Sequence, residues 1–466
     1  MTSVRYVSTR GRADELGFAD VLLAGLARDG GLYVPDRWPD LPDLSGLTTY
    51  EQVAAAIVST FVGDDPSGVL TTADVERLCA DAYGAFRHPA VAPLVQIDDR
   101  HFVLELFHGP TLAFKDIALQ LVGRMFDHVL SARSERITIV GATSGDTGSA
   151  AIDGVRGCDN VDIVILYPAG RTSEVQRRQM TTVDAPNVHA VAVEGTFDDC
   201  QDLVKAMFAD ETFRDELGLS AVNSINWARV MAQVVYYVTA SRTFADDVSF
   251  CVPTGNFGNV LAGWIARRMG APVHDFVVAS NANDILTRFI EDDDMTTRDV
   301  VPTASPSMDI QVSSNFERLL FEMNDRNGLR TAEQLVTFRT TGRLEVSAAQ
   351  RRDHLSGSFR AVASDDHATF EEIGKVYADT GMLIDPHTAT GTAAVRRLGD
   401  GSRSTVTLAT AHPAKFPDAV ERATGVRPAL PPFLADLFER PERTRTLPAD
   451  LLAVQAFVRS VSRVTG

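Results

Sequence analysis

VSFCVPTGNFGNVLAGWIARRMG, residues 248–270, holds a whole structural unit in one run. Val248 to Pro253 is a short apolar stretch that reads as a buried strand. TGNFGN then supplies glycines for a sharp turn, and Asn259 to Gly270 is rich in helix formers. The same alternation extends on both sides. Strands are predicted at 136–140, 161–168, 187–194, 274–280 and 404–410. Helices are predicted from 148 to 155 and over 198–210 and 225–241. Such alternation indicates an α/β fold around mostly parallel sheets.

Residues 1–92 stand apart as a mainly helical domain. One helix runs through Ala27 and is stopped by Gly30 and Gly31. A second follows Thr49 as its cap, and a third follows Thr72, with Glu76 near capping-box distance. The α/β region spans 93–425, with a smaller subdomain at about 105–225 and a helical insertion at about 291–365. Residues 426–466 form a proline-punctuated tail ending in a helix.

At 466 residues and a net charge of −18, the chain is a multidomain acidic protein, which argues against nucleic acid or an anionic membrane as partner. Its four cysteines are scattered, with no disulfide-framework or zinc spacing. The polar start and the absence of any window near the ~20 apolar residues of a membrane span point to a cytoplasmic protein. The histidines show no metal pattern, so no metal is expected. His108, His387 and His412 are read as hydrogen-bonding or packing residues.

In open parallel sheets, ligands bind at the carboxyl ends of the strands. Four strand ends lead here into small polar loops: GATSGDTGS, TGNFGN, NANDI and AHPAKF. TGNFGN suits a phosphate, because its glycines allow close backbone approach and a helix N-terminus comes next. ATSGDTGS offers hydroxyls that could hold a carboxylate. It is neither a P-loop nor a nucleophile elbow, since Asp146 and Ala142 stand where glycines are needed.

Lysine is scarce. Lys115, Lys205, Lys375 and Lys415 are the only four, against 44 lysines and arginines together. Lys205 and Lys375 lie on amphipathic helices and should be solvated, while Lys415 sits in a strand-end loop and is left open. Lys115, in HGPTLAFKDIALQ (108–120), opens a helix among apolar neighbours that would desolvate its amine and favour the neutral nucleophile. A phosphate cup, a carboxylate loop and a desolvated lysine together suggest pyridoxal phosphate holding an amino acid.

FHGPTLAFKD, ATSGDTGSAAI, SINWARV, VPTGNFGN, SNANDIL and TAHPAKF, in this order, resemble the longer form of the threonine synthase family, as do YVSTRG and DGGLYVP near the start. The resemblance covers residues 5 to 425 and implies a fold-type-II (tryptophan synthase β-like) pyridoxal phosphate enzyme with two open, mostly parallel sheets. It implies conversion of O-phospho-L-homoserine and water to L-threonine and phosphate. Lys115 would form the Schiff base, with Phe114 beside the cofactor ring. Gly255, Asn256, Phe257, Gly258 and Asn259 would cradle the cofactor phosphate, Thr410 would face the pyridine nitrogen, and Asp146 would lie near the 3′-oxygen. Thr143, Ser144 and Thr147 would hold the substrate carboxylate, and Ser224, Asn226 and Arg229 the substrate phosphate. One alternative is a phospholyase or dehydratase of the same fold that releases a 2-keto acid and ammonia. Another is a catalytically silent binding protein. The resemblance leaves monomer and homodimer both open.

Overall fold

The computed structural model describes residues 4–64, 67–221, 223–399 and 401–464. Two open sheets lie at its centre. The larger has six strands in the order Phe359–Ala363, Val273–Ser280, Val248–Pro253, Thr405–Ala409, His101–Glu105, Leu94–Gln96, and only the last pairing is antiparallel. The smaller has five parallel strands in the order Thr444–Pro448, Val188–Glu194, Val161–Pro168, Ile137–Ala142, Leu219–Ser220. The expected α/β architecture is therefore the one adopted. Val161–Pro168 is buried along its whole length, as a central parallel strand covered on both faces must be.

Several local readings are corrected. The first helix is Phe18–Ala24 and ends early, because Gly25 takes φ 63°. The third helix is capped by Thr71, one residue before the expected Thr72, and its capping box uses Asp74 in place of Glu76. Within the stretch read as a helical insertion, Gly328–Thr341 is a further helix and Phe359–Ala363 is a strand on the edge of the larger sheet. The tail likewise contributes a strand, Thr444–Pro448, before its final helix Leu451–Val461. Both are edge strands placed by backbone pairing, and Leu94–Gln96, His101–Glu105 and Leu219–Ser220 were likewise not foreseen.

The N-terminal helices do not have a core of their own. Tyr6, Phe61 and Trp38 surround Trp227 at ring-centroid distances of 5.7–5.9 Å, and one continuous apolar cluster runs from these rings through Leu121 to Phe276. The helices Lys115–Arg133 and Asp146–Val155 pack so closely that they touch backbone to backbone. A Cβ added at Gly123 would lie 2.0 Å from the Gly154 carbonyl oxygen, and one at Gly154 would lie 2.5 Å from that of Leu119. The two helices thus behave as one rigid pair.

Candidate active site

Lys115 and Asp146 open those two helices. The HGPTLAFK loop reaches this position by zipping onto the loop after Thr405–Ala409. The Phe114 N–H donates to the Thr410 carbonyl at 2.9 Å, and the His412 N–H donates to that of Leu112 at 3.0 Å. Ala113 and Ala411 form an antiparallel bridge between the same loops. Asp116 completes the turn by accepting from the Thr111 N–H at 2.8 Å and its hydroxyl at 2.6 Å. Gly109 is required there, since a Cβ would fall 2.5 Å from Asp116.

The zipper also delivers Lys415, which is wholly buried. Its ammonium lies 2.9 Å from one Asp146 oxygen and donates to the Thr111 carbonyl at 2.7 Å. The other Asp146 oxygen is 3.8 Å from Lys115 Nζ, and Gln176 donates to Asp146 at 2.7 Å. Burial alone would raise the Asp146 carboxyl, but Lys415 and Lys115 outweigh it and hold the group well below the usual carboxylate range. Lys115 is pushed down to about 8. Burial is the main cause, Asp146 opposes it, and the charges of Lys415 and Arg229 add to it. Burial also pushes Asp116 up to about 7 and brings Arg229 down to about 10.

The Thr254–Asn259 loop is strapped from outside. The Ser313 hydroxyl donates to the Gly255 carbonyl at 2.6 Å, and the Asn315 N–H donates to that of Asn256 at 3.1 Å. A Cβ on Gly255 would stand 2.8 Å from the Ser307 carbonyl oxygen. Phe257 takes φ 62° and buries its ring against Phe316 and Phe359. Its side chain is therefore committed to the core, and only its backbone belongs to the loop. With the loop carbonyls engaged, the N–H groups of Gly258 and Asn259 remain, and no carbonyl of their own helix can reach them. Asn259 Oδ1 accepts from Tyr236 at 2.5 Å and Tyr237 at 2.8 Å. Its Nδ2 is buried with no hydrogen-bond partner among the described residues. This buried donor set fits a phosphate.

The other expected residues are dispersed among several roles. Thr143 is buried, and its hydroxyl oxygen accepts from the Gly145 and Gly148 N–H groups, both at 2.9 Å. Ser144 is exposed and Thr147 half-buried. Arg229 is buried in the first turn of Trp227–Ser241. Asn226 donates to the Leu22 carbonyl at 2.9 Å and caps that helix through the Ala228 N–H at 3.0 Å. The Ser224 carbonyl accepts from Asn315 at 3.0 Å. Asn281, in the NANDI loop, spends its amide on Thr303, Ser305 and Asp309, so that strand end builds the fold.

The histidines prove to be architectural. His387 lies 2.7 Å from Asp385 and accepts from the Ser307 N–H. His412 caps the turn carrying Lys415, and burial lowers it to about 4. Lys205 and Lys375 are exposed, as expected. Among the described residues, no helix is long and apolar enough to cross a membrane. Lys415 was only half legible, and Gln176 carried no signal at all, because both acquire meaning only through their contact with Asp146.

Three family models match this chain: "Threonine synthase N terminus" over residues 5–83, "Pyridoxal-phosphate dependent enzyme" over 86–410, and "Threonine synthase, C-terminal" over 388–458. It is 54% identical to a threonine synthase of Pseudomonas aeruginosa, with 98% of each chain covered. The chain belongs to the threonine synthase family. A threonine synthase of Schizosaccharomyces pombe is 42% identical over 91% of this chain and 90% of its own. Among solved structures, the pyridoxal-phosphate-bound threonine synthase from Brucella melitensis superposes with a TM-score of 0.95. It is 51% identical and covers 99% of this chain and 100% of its own. As a member of this family the chain is a pyridoxal-phosphate-dependent lyase.

Proposed function

We propose that Lys115 anchors the cofactor and moves the protons as this enzyme converts O-phospho-L-homoserine and water to L-threonine and phosphate. The observation that carries the reading is the buried Lys115–Asp146–Lys415 cluster beside a loop of unengaged N–H groups. Pyridoxal phosphate, when bound, draws electrons from the substrate α-carbon and stores the charge left when a proton is removed. The Gly255–Asn259 loop would hold its phosphate, and Thr410, Phe114 and Asp146 would hold the rest of the cofactor.

Lys115 takes protons from the substrate α- and β-carbons and returns them at the γ- and α-carbons, so that the γ-carbon becomes the methyl group once phosphate has left. A lysine lowered to about 8 can do both near neutral pH. Thr143, Ser144 and Thr147 orient the substrate carboxylate at the start of the Asp146 helix. Arg229, with Ser224 and Asn226, receives the substrate phosphate, whose departure from the γ-carbon a guanidinium favours by gripping the dianion at two oxygens. The released phosphate, still on Arg229, orients the water that adds at the β-carbon. Lys415 fixes Asp146 in its ionised form, so that it points at Lys115 without taking its proton. A small-molecule substrate suffices for every step.

The test is Arg229→Ala. It should raise KM and lower kcat by roughly 10²-fold, as loss of a positioning contact does, while the cofactor absorbance of the purified protein stays unchanged. Unaltered kinetics would remove Arg229 from the phosphate pocket.

A further inference from the structure

The Lys115–Arg133 and Asp146–Val155 helices carry the chemistry at their first residues and also line a second cavity of about 710 Å3. Gln120, Arg124, Asp127, His128 and Ser131 line it from successive turns of the first helix. Asp153 and Gly154 line it from the second, and Arg77 and Arg87 from the N-terminal domain. None of these side chains takes part in the chemistry at Lys115.

The cavity's charges do not cancel. Asp81 is 3.6 Å from Arg77, Asp127 accepts from the Asn160 N–H at 3.1 Å, and Asp153 accepts from Gln120 at 2.7 Å and pairs with Arg156 at 3.2 Å. Asp127 keeps its charge, so the lining sets four arginines against three carboxylates. Arg124 donates only to the carbonyl and side-chain oxygens of Gln120, at 2.8 and 2.9 Å. The Arg87 guanidinium sits 4.9 Å over the Phe433 ring. Neither has a carboxylate within ion-pair distance among the described residues. Burial raises the Asp153 carboxyl, and the charges of Arg156, Arg124 and Arg87 oppose it. In a chain of net charge −18, this concave excess of positive charge selects an anion.

We propose that this cavity binds a small multiply charged anion, a phosphate monoester or a di- or tricarboxylate, between Arg87 and Arg124. Its occupancy is felt at the active site through the helix pair locked at Gly123 and Gly154. Pro110 adds a second link, since it lines the cavity one residue before Thr111, which holds both Asp116 and Lys415. A ligand seated there rests on the middle of the first helix and the far end of the second, the two helices that Lys115 and Asp146 open.

Calorimetric titration of the holoenzyme with citrate and with inorganic phosphate tests this, using wild type, Arg87→Gln, Arg124→Gln and Arg229→Ala. Arg87 is exposed, so its variant folds even if that of Arg124 does not. Citrate should bind wild type and Arg229→Ala alike and should weaken about tenfold in either cavity variant, the loss of one charge-assisted contact. Phosphate should show two sites, one sensitive to Arg229 and one to Arg87 and Arg124. The arm that binds more tightly distinguishes phosphate monoesters from carboxylates. Saturating citrate should shift KM for the substrate in wild type and leave Arg87→Gln unmoved. Equal binding by wild type and both cavity variants would overturn the site, and tight binding with unchanged kinetics would overturn its link to catalysis.

Discussion

Lys115, the proposed cofactor anchor, has an amine that is easy to deprotonate, and the charges around it decide how easy. Burial and the Lys415 and Arg229 cations depress it, and Asp146 pulls the other way. Capture of pyridoxal phosphate by the apoenzyme should therefore quicken as pH rises through about 8 and level off above it, because only the neutral amine attacks. Lys415→Met removes a cation that disfavours protonation of Lys115. Protonation then becomes easier, the inflection moves to higher pH, and the rate at neutral pH falls severalfold, roughly in proportion to the neutral fraction. Stopped-flow absorbance across a pH series measures both, and an inflection that stays in place would show that Lys415 has no electrostatic hold on Lys115. The desolvation of Lys115 was legible from its apolar neighbours. The importance of Lys415 was not, because its partners Thr111 and Asp146 lie hundreds of residues away in the chain.

At the scale of elements, strand-to-helix alternation is local, so the sequence revealed most of the central strands, though not His101–Glu105 or the helix Glu174–Thr181. What remained hidden is contact between elements. The insertion is an example, since its Ser313 and Asn315 strap the Thr254–Asn259 loop from outside. The Gly123–Gly154 contact is another. Either glycine alone looks like a poor helix residue, and only the approach of two backbones explains both. Gly123→Ala must push the helices apart and should cost about 1–3 kcal/mol, as overpacking does. The urea unfolding midpoint should fall, and activity should fall with it because Lys115 and Asp146 move relative to each other. A midpoint equal to wild type would mean that the helices separate freely.

The whole molecule is joined at one buried arginine. Arg318 donates to the carbonyls of Tyr33 at 3.0 Å and Ile225 at 2.7 Å and bonds Asn315, and its guanidinium lies 5.7 Å over Trp227. It thereby ties the N-terminal region, the SINWAR loop and the insertion together. Arg318→Met would leave these carbonyls buried without donors and should cost on the order of 3 kcal/mol, at 1–3 kcal/mol for each orphaned group. Circular dichroism melting would show it as an earlier transition. The central claim is that Lys115, in this setting, makes threonine from O-phospho-L-homoserine. The most direct measurement quantifies threonine, phosphate, 2-oxobutyrate and ammonia formed by wild type and by Lys115→Ala. The prediction is threonine and phosphate in equal amounts from wild type and neither from the variant. 2-Oxobutyrate and ammonia in place of threonine, or undiminished turnover without Lys115, would contradict it.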